Sequence, residues 1–287
     1  MRMKMMMAMT VLWVVLLPYG VSGANLMSHA GRKRVAPPPP PPTPPLDMVP
    51  DSVDDMYQIC TEQMEEEAAT YLQNEKNNDE SFRKSWKEAE KYEGFKLSKE
   101  QVMALYVYTS SKNKIYIPFN EATRTERFKY KTAFNYHALH FYLTTAVQNL
   151  RALQNQCYKV RRRTKTYYSD QDVLNKEVRF GSFASSSILS PGPVGHKAFG
   201  KKACFEIETC MGADISWFST FNQREVLIPP YEVFKVTEIT KRSEQPDLWC
   251  DVVYKLKSLG YQSNLNCALI KKKKRCKFPA VDKSCNV

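Results

Sequence analysis

The sequence predicts an α+β fold, with an N-terminal helical subdomain followed by a mostly antiparallel β-sandwich core. Three observations predict it. From about residue 51 to 155 apolar residues recur at helical spacing. From 156 to 270 short stretches alternate polar and apolar with period two, and turn residues separate them. Helices first and strands later is the order of an α+β domain. The third observation is the run from Glu225 to Val236, which reads as strand, two-proline turn and strand. Pro229 and Pro230 lack backbone donors, so the ladder has to break or bend there.

At the start, Arg2 and Lys4 precede an apolar run from Met5 to Leu17, and Ser22, Gly23 and Ala24 follow. This is the pattern of a secretory signal peptide, placed at 1–23. Residues 24–50 read as a linker, because Pro37 to Pro42, Pro44 and Pro45 favour extended polyproline II. Arg32-Lys33-Arg34 is a candidate processing site. No later segment reads as a membrane span, and the end carries no apolar tail for a glycolipid anchor. A secreted, extracellular chain without a membrane anchor is expected.

The eight cysteines, at 60, 157, 204, 210, 250, 267, 276 and 285, all follow the signal. In a secreted chain an even number favours disulfides, whose connectivity the spacing leaves open. There is no CxxC pair, so no metal is expected, and His137 and His140 read as packed within a helix. The 42 basic and 30 acidic residues give a net charge of +12, which favours acidic partners. No nucleic-acid motif accompanies that charge, and no nucleic-acid partner is expected. The densest basic run, Lys271 to Lys277, opens a tail (271–287) that reads as a solvated end.

Within the helical subdomain (51–155), helices are expected over Asp54–Leu72 and Glu80–Tyr92. A third opens at the capping box of Ser98 and Gln101, and a long one runs from Arg124 or Phe128 to Leu153. Strands are expected at Tyr158–Arg162, Val178–Ser185, Cys204–Cys210, Glu225–Ile228, Tyr231–Ile239, Leu248–Lys257 and Leu265–Ile270.

Two clusters on these strands carry chemistry. Phe183, Ser185 and Ser187 share a strand face, and Gln223 and Glu225 stand two apart at a strand mouth. A carboxylate and an amide delivered together suit a glycosidic-bond site; a solvated strand end is the plainer reading.

Arginine on the first strand, Ser-x-Ser on the next, x-Glu and then the run ValLeuIleProProTyrGluValPhe at 226–234 stand in order. With GlySerPheAlaSerSerSer at 181–187 and IleGluThrCysMetGly at 207–212, this resembles the vertebrate secreted and glycolipid-anchored mono-ADP-ribosyltransferases. The resemblance covers about 51 to 275 and implies an NAD-binding β core at 156–270, NAD as donor substrate and an acceptor protein outside the cell. It places the NAD-phosphate arginine at Arg162, the orienting serine at Ser185, a further NAD-binding serine at Ser187 and the catalytic glutamate at Glu225. It also implies the disulfides Cys60–Cys267 and Cys157–Cys210.

Two departures stand out. Arg161 and Arg163 occupy positions where the family has an aromatic and a glycine. Gln223 replaces the acceptor-side glutamate of the arginine-specific members, and glutamine can hydrogen-bond but cannot act as a base. Three functions follow from the residues: transfer of ADP-ribose to a protein side chain, arginine by resemblance; hydrolysis of NAD; or a degraded basic binding protein.

Overall fold

The computed structural model describes residues 43–169, 172–188, 199–220 and 224–270. The expected signal peptide, most of the linker, the tail with Cys276 and Cys285, and Gln223 lie outside these residues.

Five α-helices come first: α1 (Thr61–Asn78), α2 (Glu80–Ala89), α3 (Lys99–Thr109), α4 (Tyr116–Thr125) and α5 (His137–Gln154). Their apolar faces meet in one core, where Met64, Phe82, Trp86, Leu105, Phe141 and Val147 are buried with Phe183 and Leu227 from the sheet. The expected capping box opens α3: Gln101 N donates to Ser98 Oγ (3.2 Å) and Ser98 N to Gln101 Oε1 (3.1 Å).

Two helix expectations need correction. The first helix begins at Thr61, not Asp54, because Asp54 and Asp55 are buried and accept hydrogen bonds from residues 264–268. The long helix from 124 to 153 is instead α4, a single 3₁₀ turn at Arg127–Lys129, and α5. Arg127 N leaves the helical ladder to donate to Asp51 O (3.0 Å). Glu75 of α1 then restarts the helix by accepting from Ala138 N (2.6 Å) and Leu139 N (3.2 Å), two of the donors that a helix start leaves orphaned.

The strands are β1 (Tyr158–Arg163), β2 (Glu177–Val178), β3 (Ala184–Ser187), β4 (Ala203–Thr209), β5 (Ala213–Asp214), β6 (Glu225–Ile228), β7 (Glu232–Lys241) and β8 (Val252–Tyr261). They form one eight-stranded sheet in the order β2-β7-β8-β4-β1-β3-β6-β5. Every pairing is antiparallel except β4 with β8. Val226 and Ile228 near one end of that order share a second core with Phe234 and Tyr254 near the other. The sandwich is thus one continuous sheet whose two ends share a core. Pro229 and Pro230 carry the chain from β6, which pairs with β3 and β5, to β7, which pairs with β2 and β8.

Other expectations fail locally. The strand expected over Val178–Ser185 is split into β2 and β3 by a turn at Gly181, whose φ is +65°. A side chain there would be strained and would meet Val49 at 2.4 Å. Leu265–Ile270 forms turns, held beneath by Asp54 and Asp55 and by the disulfide Cys60–Cys267. Residues 44–50, read as linker, are attached to the sheet: Ser169 N donates to Pro44 O and Arg179 N to Asp47 O. Arg179 fastens this segment, donating to Met48 O (2.8 Å) and to buried Asp54 Oδ2 (2.7 Å). Disulfides also join Cys157 to Cys210 and Cys204 to Cys250. No helix among the described residues is long and apolar enough to cross a membrane.

Candidate active site

Three adjacent strands, β1, β3 and β6, deliver the predicted residues to one place. Ser187 stands directly across from Glu225 in the β3–β6 register, and Arg161 across from Ser187 in β1–β3. Cross-strand partners project to the same face, so Glu225, Ser187 and Arg161 form a row. Ser185 lies two residues along the same face of β3.

Arg162 reaches the site from β1: Nη1 donates to Ser185 O (2.6 Å), and the guanidinium lies 5.8 Å from the Phe180 ring. The flanking arginines have other partners. Arg161 pairs with Glu206 (3.2 Å). Arg163 stacks 4.8 Å from Trp249 and donates to Trp249 O (3.3 Å), and burial lowers its pKa. Residue 163 is an ordinary strand residue paired with Cys204, with no positive φ, so the backbone there requires no glycine.

Glu225 is 5 % exposed. Ser219 Oγ donates to its Oε2, and Glu225 N donates to Ser216 Oγ (3.1 Å). Oε1 is buried with no hydrogen-bond partner among the described residues. Desolvation raises the carboxyl pKa, while Ser185, Ser219 and the Arg162 charge oppose that rise. Ser185 therefore favours the charged form from beside the carboxylate without completing a hydrogen bond to Oε1.

The helical subdomain contributes residues that the strand pattern did not reveal. Tyr108 of α3 donates to Phe183 O (3.0 Å), accepts from Asn120 of α4 (3.1 Å) and senses both Arg162 and Glu225. Thr220 Oγ1 donates to Thr109 O (2.6 Å) and so ties the approach to β6 onto the end of α3. The sequence carried no signal for these, because only the fold brings the end of α3 (Tyr108, Thr109) against the approach to β6 (Ser216, Ser219, Thr220).

His137 and His140 are packed, as expected. His140 bonds Tyr57 (2.8 Å) and Val53 O (3.0 Å), and burial drops its pKa to about 3. Among the described residues no group of three or more side chains could hold a metal.

A buried carboxylate, a serine pair and an arginine thus stand on three neighbouring strands, and the family of the chain follows from comparison with known proteins. The profile of the NAD:arginine ADP-ribosyltransferase family matches residues 46–252, and the chain belongs to that family. Within it, the chain is 38 % identical to ecto-ADP-ribosyltransferase 5 of Homo sapiens over 80 % of this chain and 82 % of that one. It is 35 % identical to an erythroblast NAD(P)(+)--arginine ADP-ribosyltransferase of Gallus gallus, over 81 % of this chain and 78 % of that one. The crystal structure of the eukaryotic mono-ADP-ribosyltransferase ART2.2 superposes with a TM-score of 0.65 at 32 % identity, covering 78 % of this chain and 98 % of that one. A variant of ART2.2 was solved in complex with NAD.

Proposed function

We propose that this chain is an extracellular mono-ADP-ribosyltransferase that cleaves the nicotinamide–ribose bond of NAD at Glu225. The observation that carries the reading is the unpaired, buried Oε1 of Glu225 beside Ser185 and Arg162. A buried acceptor without a partner costs about 1–3 kcal/mol, more if charged, unless a ligand supplies the donor. The donor's ribose hydroxyl is such a group.

In this account the carbon–nitrogen bond breaks with its electron pair leaving on nicotinamide. The fixed carboxylate then faces an oxocarbenium-like centre, where preorganised charge acts most strongly. Arg162 would hold the NAD phosphates as a charge-assisted fork, with Ser185 and Ser187 lining the ribose side. The acceptor nucleophile forms the new bond to the same carbon and releases its proton to solvent.

Arginine of an acceptor protein is the expected nucleophile, by membership in the family. Gln223 favours a second reading, with water as the main acceptor, because an amide cannot take the guanidinium proton. Secretion is part of the proposal and rests on the signal pattern of 1–23 and on relatives that are themselves ecto-enzymes. The test is incubation of the purified chain with labelled NAD, scoring nicotinamide, free ADP-ribose and labelled protein separately. Labelled protein supports transfer; equal nicotinamide and ADP-ribose supports hydrolysis; no nicotinamide release overturns both.

A further inference from the structure

Glu225 does not stand alone at the mouth of β6; the turn that precedes it is built to hold one of its oxygens. Ile215 N donates to Glu225 O (2.8 Å), closing that turn against its own strand. Phe218 N (2.8 Å) and Ser219 N (3.0 Å) both donate to Ile215 O, which fixes the backbone of Ser219. Ser216 Oγ accepts from Glu225 N and itself donates to Asp214 Oδ1, so β5 braces the turn from one side. Thr220 braces it from the other, through Thr109 of α3. Ser219 therefore presents its hydroxyl from a frame anchored at both ends, and that hydroxyl donates to Glu225 Oε2.

We propose that the two oxygens of Glu225 have separate duties: Oε2 is held by Ser219, and Oε1 receives the donor's ribose hydroxyl. Ser219 is thus a positioning residue for the reaction, and this rests on the reading of Glu225 as the catalytic carboxylate. With Oε2 occupied by a protein donor, an incoming hydroxyl has one buried acceptor left to meet. Preorganisation of this kind helps the transition state, because the carboxylate need not reorient as charge develops.

The charges that face Glu225 set what a test can read. Arg162 arrives from β1, Tyr108 from α3 and, through Ser216, Asp214 from β5. Burial raises the carboxyl pKa, and the Ser219 hydrogen bond works against it. Removing that hydroxyl leaves burial less opposed, so the group protonates at higher pH.

The experiment measures nicotinamide release from NAD against pH for the parent, Ser219→Ala, Ser219→Thr and Glu225→Gln, with thermal melts of each. In Ser219→Ala, kcat should fall about tenfold, the scale of one charge-assisted hydrogen bond. KM for NAD should change less than about threefold, since the interaction belongs to the transition state. The acid limb of the kcat profile should move to higher pH, because burial is then less opposed. Ser219→Thr keeps a hydroxyl and should restore both. A KM effect without a kcat effect, or an acid limb that stays in place, overturns the proposal. If Glu225→Gln itself remains within a few-fold of the parent, the underlying assignment of Glu225 has failed instead.

Discussion

Asp54 and Asp55, beneath the turns at 264–270, and Glu225, at the mouth of β6, are all buried carboxylates. They are partnered in different ways. Asp54 receives Arg179, Asn264 and the backbone of Leu265; Asp55 receives Tyr130 and the backbones of Tyr57, Cys267 and Ala268. Glu75 and Glu232 follow the same pattern, each oxygen taken by backbone or hydroxyl donors. Among the described residues, only Glu225 keeps a buried carboxylate oxygen without a partner. A carboxylate placed for stability is surrounded until its capacity is used, whereas one placed for chemistry keeps capacity for a ligand.

That contrast breaks if the anchor proves dispensable. Arg179→Met leaves Asp54 buried without its cation and should destabilise the protein by about 3–5 kcal/mol. Denaturant melts measure this, while nicotinamide release per folded molecule should stay near the parent's. An unchanged midpoint would mean that the anchor is not what holds residues 44–50 and the 264–270 turns together.

The three neighbouring arginines sharpen the comparison. Arg162→Lys should weaken NAD binding about tenfold or more, because lysine cannot reproduce a two-pronged contact. Arg163→Lys should leave NAD affinity alone and cost about 1 kcal/mol of stability through the lost stacking on Trp249. Arg161→Lys should do little to either, since its ion pair with Glu206 is half exposed. If calorimetric titration finds Arg163→Lys to be the damaging change for NAD, the phosphate arginine is Arg163.

Glu75 gives an effect that depends on pH. Burial lifts its folded pKa to about 8 from the ordinary 4.5 of a glutamate. The folded state therefore holds the proton more tightly, and the group's contribution is fully present below about pH 4.5. It is lost as pH rises through 8. Glu75→Gln should be nearly neutral at pH 4.5, where the parent is also uncharged and offers one good acceptor oxygen. By pH 9 the variant should be the more stable of the two, because only the parent then carries a buried charge. Urea titrations of both proteins at the two pH values decide it.

The sequence made the site more legible than the anchor. The family resemblance singled out Arg162, Ser185, Ser187 and Glu225, and the period-two patterns placed them on short strands that the structure sets side by side. The local run around Pro229 and Pro230 gave the bend between β6 and β7. Helix boundaries were harder. Pro118 is tolerated in the first turn of α4, where its missing N–H has no partner to lose. The true interruption after Thr125 comes from Arg127 bonding Asp51, more than seventy residues away in sequence. Asp54 and Asp55 look like the acidic face of a helix, and only the distant turns at 264–268 show why they are not. Ser219 carries no signal of its own; its meaning depends on where α3 and β5 place the turn.

The most direct test of the contrast between filled and unfilled carboxylates is Glu225→Gln, followed by nicotinamide release at saturating NAD and by a thermal melt. The amide keeps the shape and removes the charge. The account predicts that kcat falls on the order of 100-fold or more, while the melting temperature holds or rises because a buried charge is gone. Turnover within a few-fold of the parent, or a loss of activity matched by unfolding, would contradict it.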